Sequence, residues 1–354
     1  MISQGLLRGL PVLRDPRGVT AESSRALQGV GRALLRDQRD LPFLSLILGI
    51  VLLQLPFAAA LFVPGVFRWW LAAIYLAVLF AVWFDRYTLM LHCTSHRTLF
   101  QRRYRLFNEV IPWLIGPVMG QPPGGYFCHH LGMHHPENNL EDDLSSTMPY
   151  ERRSFLHFLR YWAIFMVTVT VGLPRYLFAH GRPKLGYKAF AGELVFFSGG
   201  AIGLAFAPRP TLVVFVIPFI ASRFLMMWGN WGQHAFIDPA SPASLYSSSI
   251  TCINTRYNRR CFNDGYHIGH HLRPSRHWTE LPGDLEQSAE RYAREGAIVF
   301  SGIDFFQVSL YLFLKRWNWL ADCYVELDGK GRQREEIIAL LQDRTRPLLR
   351  NTTS

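Results

Sequence analysis

Residues 43–84 read FLSLILGIVLLQLPFAAALFVPGVFRWWLAAIYLAVLFAVWF, two uncharged runs at 43–63 and 69–84 joined by Pro64-Gly65 and one base, Arg68. About 20 apolar residues carry a helix across the hydrocarbon of a bilayer, so each run is close to spanning length. The Pro-Gly link turns the chain between them, which predicts a helical hairpin. Trp69-Trp70 suits the membrane interface, and Asp85-Arg86 returns the chain to water. A second pair repeats the pattern. One run, 189–207, carries only Glu193, the other, from 211, only Arg223, and Pro208-Arg209-Pro210 links them. The expected fold is an all-α integral membrane protein with four transmembrane helices in two hairpins, at about 43–63, 69–85, 189–207 and 211–230.

Charge decides the shorter apolar runs, 107–118 and 161–173. If 161–173 crossed the bilayer, Arg175, Arg182, Lys184 and Lys188 would lie on the outer side, against the positive-inside rule. Both runs are therefore expected in the interface or re-entering on the cytoplasmic side. The run 297–317, broken by Asp304, is expected to be interfacial too, since crossing would export the charged tail. The expected organisation is a cytosolic segment at 1–41, a membrane domain with a cytosolic helical cap at 42–320, and a charged cytosolic tail at 321–354 with an amphipathic helix around 333–349. Residues 1–41 scatter Arg8, Arg14, Arg17, Arg25, Arg32, Arg36 and Arg39 among acids without an apolar stretch, so no cleavable signal peptide is expected there.

Composition agrees. Of 354 residues 18% are charged, 49% hydrophobic and 14% aromatic, where a soluble domain carries about 25% charge. Disorder, collagen, coiled coil and a small disulfide scaffold are excluded. The 37 Lys and Arg outnumber 26 Asp and Glu, and they gather between apolar runs, which favours anionic lipid over nucleic acid. Cys93, Cys128, Cys252, Cys261 and Cys323 form no CxxC and are odd in number, so neither a disulfide framework nor a cysteine metal site is indicated.

Ten of the 13 histidines fall in four short stretches: His92 and His96; His129, His130, His134 and His135; His234; and His267, His270 and His271. Residues three or four apart share a helix face, so His92/His96, His130/His134 and His267/His270/His271 can each aim rings at one point. Each stretch lies at or beyond the end of an apolar run. So many imidazoles exceed one ion's coordination shell and point to two metals, and imidazole suits iron, copper, zinc and nickel. His157, His180 and His277 stand apart and read as structural. His129 reads as a neighbour of the ligands, and Asp264, beside the third stretch, as a carboxylate that orients them, while Glu137, Glu141, Asp142 and Asp143 after the second read either as orienting carboxylates or as solvated loop acids.

The pattern His92-x3-His96, His130-x3-His134-His135 and His267-x2-His270-His271 resembles the three histidine boxes of the membrane fatty acid desaturase superfamily. Asn230 and His234 resemble that family's further histidine and the asparagine, four residues earlier, that reaches the metal through water. The likeness covers roughly residues 40–280. It implies a four-helix membrane anchor with a cytosolic cap and a non-haem centre of two iron ions. It implies O2 as co-substrate, a fatty acid or fatty acyl substrate within the lipid bilayer, and a separate electron donor of ferredoxin, rubredoxin or cytochrome b5 type. The active site would face the cytoplasm, at a bacterial inner membrane or the endoplasmic reticulum. Pro122-Pro123-Gly124-Gly125 lacks the histidine of the haem-binding HPGG of cytochrome b5, so no fused electron carrier is read from it.

Desaturation, hydroxylation and oxidative decarboxylation to a terminal alkene would all use such a centre, and the compact chain also resembles the desaturase-like 1-alkene-forming decarboxylases. Arg223 is an intramembrane arginine two turns before Asn230, positioned to hold a carboxylate or to reach the headgroups. Trp231 and Tyr266, with Trp228, are candidates to line an acyl passage. Arg256, Arg259, Arg260 and Arg273 could receive the phosphates of an acyl thioester, or anionic lipid. A metal transporter fits less well, because such sites sit at the bilayer midplane, often in repeated halves, and no repeat is visible.

Overall fold

The computed structural model describes residues 9–18 and 24–348. Arg8 and the extreme ends of the terminal segments lie outside the described residues. In chain order the helices are α1 (Arg25–Leu34), α2 (Gln38–Leu61), α3 (Trp69–His96), α4 (Leu106–Ile115), α5 (Gly125–His129), α6 (Phe155–Ala179), α7 (Pro183–Phe206), α8 (Pro208–Gln233), α9 (Arg256–Arg260), α10 (His267–Leu272), α11 (Leu281–Arg294), α12 (Phe305–Phe313), α13 (Trp317–Cys323) and α14 (Arg334–Asp343), and the strands are β1 (Ile250–Ile253) and β2 (Ile298–Ser301).

Five helices, α2, α3, α6, α7 and α8, are long and apolar enough to cross a membrane, one more than the sequence led us to expect. The addition is α6. The run at 161–173 is only the apolar middle of a helix that continues through 155–160 and 174–179, past Pro174, and a membrane helix tolerates such a proline when its freed carbonyl is satisfied. Large apolar side chains on these helices point outward, among them Leu52, Val167, Ile202 and Phe206, as lipid-facing residues do. These helices and surfaces mark an integral membrane protein.

The chain divides into two compact units. A helical unit comprises Gly18–Pro136 and Met166–Leu225, and a strand unit comprises Met1–Arg17, Glu137–Phe165 and Met226–Ser354, with boundaries falling inside α6 and α8.

In the helical unit, the Gly-Gln-Pro-Pro-Gly-Gly turn at 120–125 is held between helices. Gly120 has φ +74°, and a Cβ there would collide with the Pro218 carbonyl, while Ser222 Oγ donates to Gly120 O at 2.8 Å. A Cβ on Gly192 of α7 would strike Pro123 O. These close approaches fix where α5 begins. The run 107–118 forms only α4 and a single 3-10 turn, too short to span.

The strand unit departs from the all-α expectation. β1 and β2 pair in parallel with Ile250 opposite Ile298 and Ile253 opposite Ser301. Alternate residues face two cores, as the pleat requires. Ile250, Cys252, Ile298 and Phe300 pack with Phe236, Phe305 and Leu320, and Ile253 and Val299 pack with Tyr266, Leu285 and Tyr292. The apolar run 297–317 thus begins as a buried strand, followed by α12, whose start Asp304 caps reciprocally with Gln307. The amphipathic helix expected around 333–349 is α14.

Candidate metal centre

The two units each gather imidazoles, by different means. In the helical unit, α3 brings His92 and His96 to its last turns, and the chain after α5 makes a π-turn at His130–His134 before a helical turn at His135–Glu137. A π-turn adds one residue to the helical repeat, so His130 aligns with His135 rather than with His134. His130 Nε2 lies 2.9 Å from His96 Nε2 and 3.1 Å from His135 Nε2. The rings of His130 and His134, expected to converge, are stacked with centroids 5.8 Å apart, against 4.5 Å for His130 and His135. The ring nitrogens of His92, His96, His130 and His135 lie within 4.8 Å of one another. Arg182 Nη1 donates to Gly132 O inside the π-turn, so a carbonyl outside the regular helical ladder has a partner. His129, stacked on His134 at 6.2 Å, stays beside the group.

In the strand unit, His234 ends α8 and His267 and His271 sit one turn apart on α10. His267 Nε2 is 3.3 Å from His234 Nε2 and 3.1 Å from His271 Nε2. His270, predicted on the same face, is offset, with its ring 6.0 Å from that of His267. His234 Nδ1 is 2.8 Å from Ser248 O, an acceptor only, so Nδ1 carries the proton and Nε2 keeps its lone pair. Sequence reasoning missed this partner. The only trace of it is the run Ser247-Ser248-Ser249, wholly buried despite its polarity.

The donor set fits a metal. Ligands on bonds of 2.0–2.1 Å stand roughly 2.8–3.4 Å apart at octahedral to tetrahedral angles, and these nitrogens already stand 2.9–3.3 Å apart. All are imidazoles, which suits iron, copper, zinc or nickel rather than calcium or magnesium.

Other expected site residues have defined places. Asn230 Nδ2 donates to Ser145 O at 2.9 Å and to Tyr161 Oη at 2.8 Å. Asp264 Oδ2 accepts from Gln233 Nε2 at 3.2 Å and from Tyr257 Oη at 3.0 Å. Burial, then Asp264 itself, holds Tyr257 well above the usual phenol range, so it remains a donor. Asp264 thus braces the residue next to His234. Trp231 is wholly buried, gives its Nε1 to Arg152 O at 2.9 Å and packs on Tyr150, Phe158, Tyr161 and Phe313. Tyr266 is buried and donates to Asp15 at 2.7 Å. Asp143 binds the backbone and hydroxyl of Ser145, while Glu141 and Asp142 are exposed. His157, His180 and His277 bond to neighbours in their own segments, at Glu151 N, Tyr176 O and Thr279.

Arg223, in the helical unit, is buried, lies over the Phe219 ring and donates from Nη2 to Glu193 Oε1 at 3.0 Å. It does not reach for headgroups. Its Nη1 has no hydrogen-bond partner among the described residues. The same unit holds a cavity of about 180 Å3, lined by Tyr87, Met90 and Thr94 from the helix of His92 and His96 and by Tyr126 and Phe127 just before His130.

All five cysteines are free thiols. No curated protein matches the chain closely enough to count as a relative. The sequence profile described as fatty acid desaturase matches residues 68–302, a stretch that contains every histidine of both groups, and the chain belongs to that family.

Proposed function

We propose that this protein is a membrane-bound, O2-dependent di-iron oxidase that removes hydrogen from a fatty acyl chain to leave a double bond. One observation carries the reading. Two sets of buried and half-buried imidazoles in a fatty acid desaturase family chain hold their ring nitrogens at the separation of metal ligands. His92, His96, His130, His134, His135, His234, His267, His270 and His271 are the proposed ligands, with the Asn230 amide oxygen acting through water. The iron ions, when bound, supply the redox chemistry that activates O2. In balance, two adjacent CH2 groups each lose one hydrogen, O2 and two external electrons with two protons are consumed, and two waters form.

The chain's own residues bind and orient. His234 is held in one tautomer by Ser248 O, which presents Nε2 without a search among rotamers. Asp264 fixes Gln233 and Tyr257 beside it. Apolar side chains such as Met90 and Phe127 line the cavity next to the helical-unit histidines and keep water from an acyl chain lodged there. We infer four crossings, with α6 along the cytoplasmic interface, because α6 is the least apolar of the five long helices and the basic residues 175–188 follow it. That places the site on the cytoplasmic face, within reach of a soluble or membrane-attached electron donor.

Oxidative decarboxylation of a free acid is a second reading, and Arg223 favours it. The guanidinium keeps one buried nitrogen without a partner, available to a carboxylate, although Glu193 already claims the other. Mass spectrometry of lipids, free acids and headspace volatiles from cells expressing the wild type or His267→Ala tests both. A new double bond absent from the variant establishes desaturation. A terminal alkene one carbon shorter than a fed acid establishes decarboxylation, and products identical in both strains end the oxidase reading.

A further inference from the structure

The strand unit carries a second polar feature outside the histidine groups. The N-terminal segment is pinned against the turn that follows β1. Asp15 accepts from Asn254 N at 2.6 Å, Thr255 N at 3.3 Å and Tyr266 Oη at 2.7 Å. Asn254, in the left-handed region at φ 57°, takes Arg14 N on its Oδ1 at 2.7 Å and gives Nδ2 to Val12 O at 3.2 Å. Asn263 Nδ2 adds a bond to Pro16 O at 2.7 Å. The result is an open cavity of about 630 Å3 lined by Arg14, Arg256 and Arg259 together with Thr255 and Ser301.

The charge balance of this cavity is unusual. Its only acid is Asp15, which is buried and already accepts three hydrogen bonds, while all three arginines are exposed. Several basic side chains elsewhere on this unit have acids: Arg17 pairs with Glu286, Arg273 and Arg276 with Asp284, and Arg332 with Asp328. No ion pair to Arg14, Arg256 or Arg259 exists among the described residues. Three exposed guanidiniums from two distant chain segments line one cavity, where their positive potentials add and favour an anion. Planar guanidiniums take phosphate oxygens two at a time, and a hydroxyl such as Thr255 Oγ1 adds a neutral donor. Arg273, grouped with Arg256 and Arg259 by sequence, belongs elsewhere, and Arg14 takes its place.

The geometry points to a phosphate-binding pocket formed by Arg14, Arg256 and Arg259. Its ligand is a phosphate ester, supplied either by a soluble molecule or by a lipid headgroup. The test measures binding, not turnover, so it stands or falls separately from the oxidase reading. Full-length protein in phosphatidylcholine nanodiscs is titrated with inorganic pyrophosphate, and native mass spectrometry follows phosphatidylglycerol retained by protein purified from mixed bilayers. Saturable pyrophosphate binding, weakened tenfold or more in Arg256→Ala/Arg259→Ala, supports the pocket and identifies a soluble source. Absence of pyrophosphate binding, with phosphatidylglycerol retained by the wild type and lost from the variant, supports it and identifies a headgroup. Equal behaviour of wild type and variant in both assays overturns it. Arg14→Ala, on a separate and exposed segment, repeats the comparison if the double variant does not fold.

Discussion

The two histidine groups do the same job by different construction. In the helical unit the ligands ride on long apolar helices, and their convergence depends on one register shift, the π-turn at His130–His134. In the strand unit they sit at the end of α8 and on the six-residue α10, a helix too short to be stable alone. There the rings are positioned by what surrounds them: the parallel pair beneath α10, the Ser248 carbonyl on His234, and Arg152, buried and bonded to the carbonyls of Ala235, Thr147, Arg344 and Arg346. Burial pulls the Arg152 guanidinium down to about 9, which leaves it charged at neutral pH and able to hold all four. One group is set by helix periodicity and the other by tertiary packing, so perturbing each should fail differently.

The largest expected effect tests whether the groups are equal in function. His130→Ala and His267→Ala should each lower turnover by at least about a thousandfold, since no neighbouring side chain replaces a lost imidazole. Iron per chain, measured by plasma mass spectrometry, should fall in both. If His130→Ala kept both full iron and turnover, the helical group would not be a metal site and the comparison would collapse.

A second perturbation separates the two constructions. Inserting one alanine between Met133 and His134 adds a second residue that the π-turn does not absorb, swinging His135 about 100° around the axis. Turnover should fall by about a hundredfold and iron should drop, while thermal unfolding of the purified protein changes little. Inserting one alanine between Asn230 and Trp231, which displaces Trp231 and His234 against their packing, should lower the unfolding temperature as well. Full iron occupancy after the insertion following Met133 would show that the register set by the π-turn has no part in metal binding.

Much of this was legible in the sequence, and the gaps share a cause. Apolar runs found four of the five long helices, and histidine spacing found every member of both groups. The 3.6-residue repeat, applied to 130–135, chose His134 as the partner of His130, because a π-turn leaves no mark in composition; Gly132, packed against Leu177 and facing the Arg182 guanidinium, shows its structural cause only in three dimensions. The strands at 250–253 and 298–301 are short and apolar, indistinguishable by periodicity from helix segments. Arg223 was read as facing substrate or headgroup because its partner Glu193 is 30 residues away in the sequence. Long-range pairs of this kind, like that of Asp15 with Tyr266, follow from the fold and cannot be read along the chain.

The smallest expected effect concerns Asp264, the carboxylate that sequence placed against the histidines. Its observed acceptor bonds run to Gln233 and Tyr257, so its influence on His234 passes through the adjacent residue. Asp264→Asn preserves one carbonyl oxygen to accept a hydrogen bond and removes the charge. If positioning through Gln233 is its role, turnover should fall by about tenfold, at the low end for residues behind a metal ligand, and iron content should stay near the wild-type level. The split between these readouts is what matters. An imidazole that loses a direct carboxylate partner binds metal less tightly, so a loss of iron in step with turnover would place Asp264 on a ligand itself. Turnover reduced with iron retained would leave the strand-unit histidines held by packing and by the Ser248 carbonyl, the construction that sets them apart from the helical group.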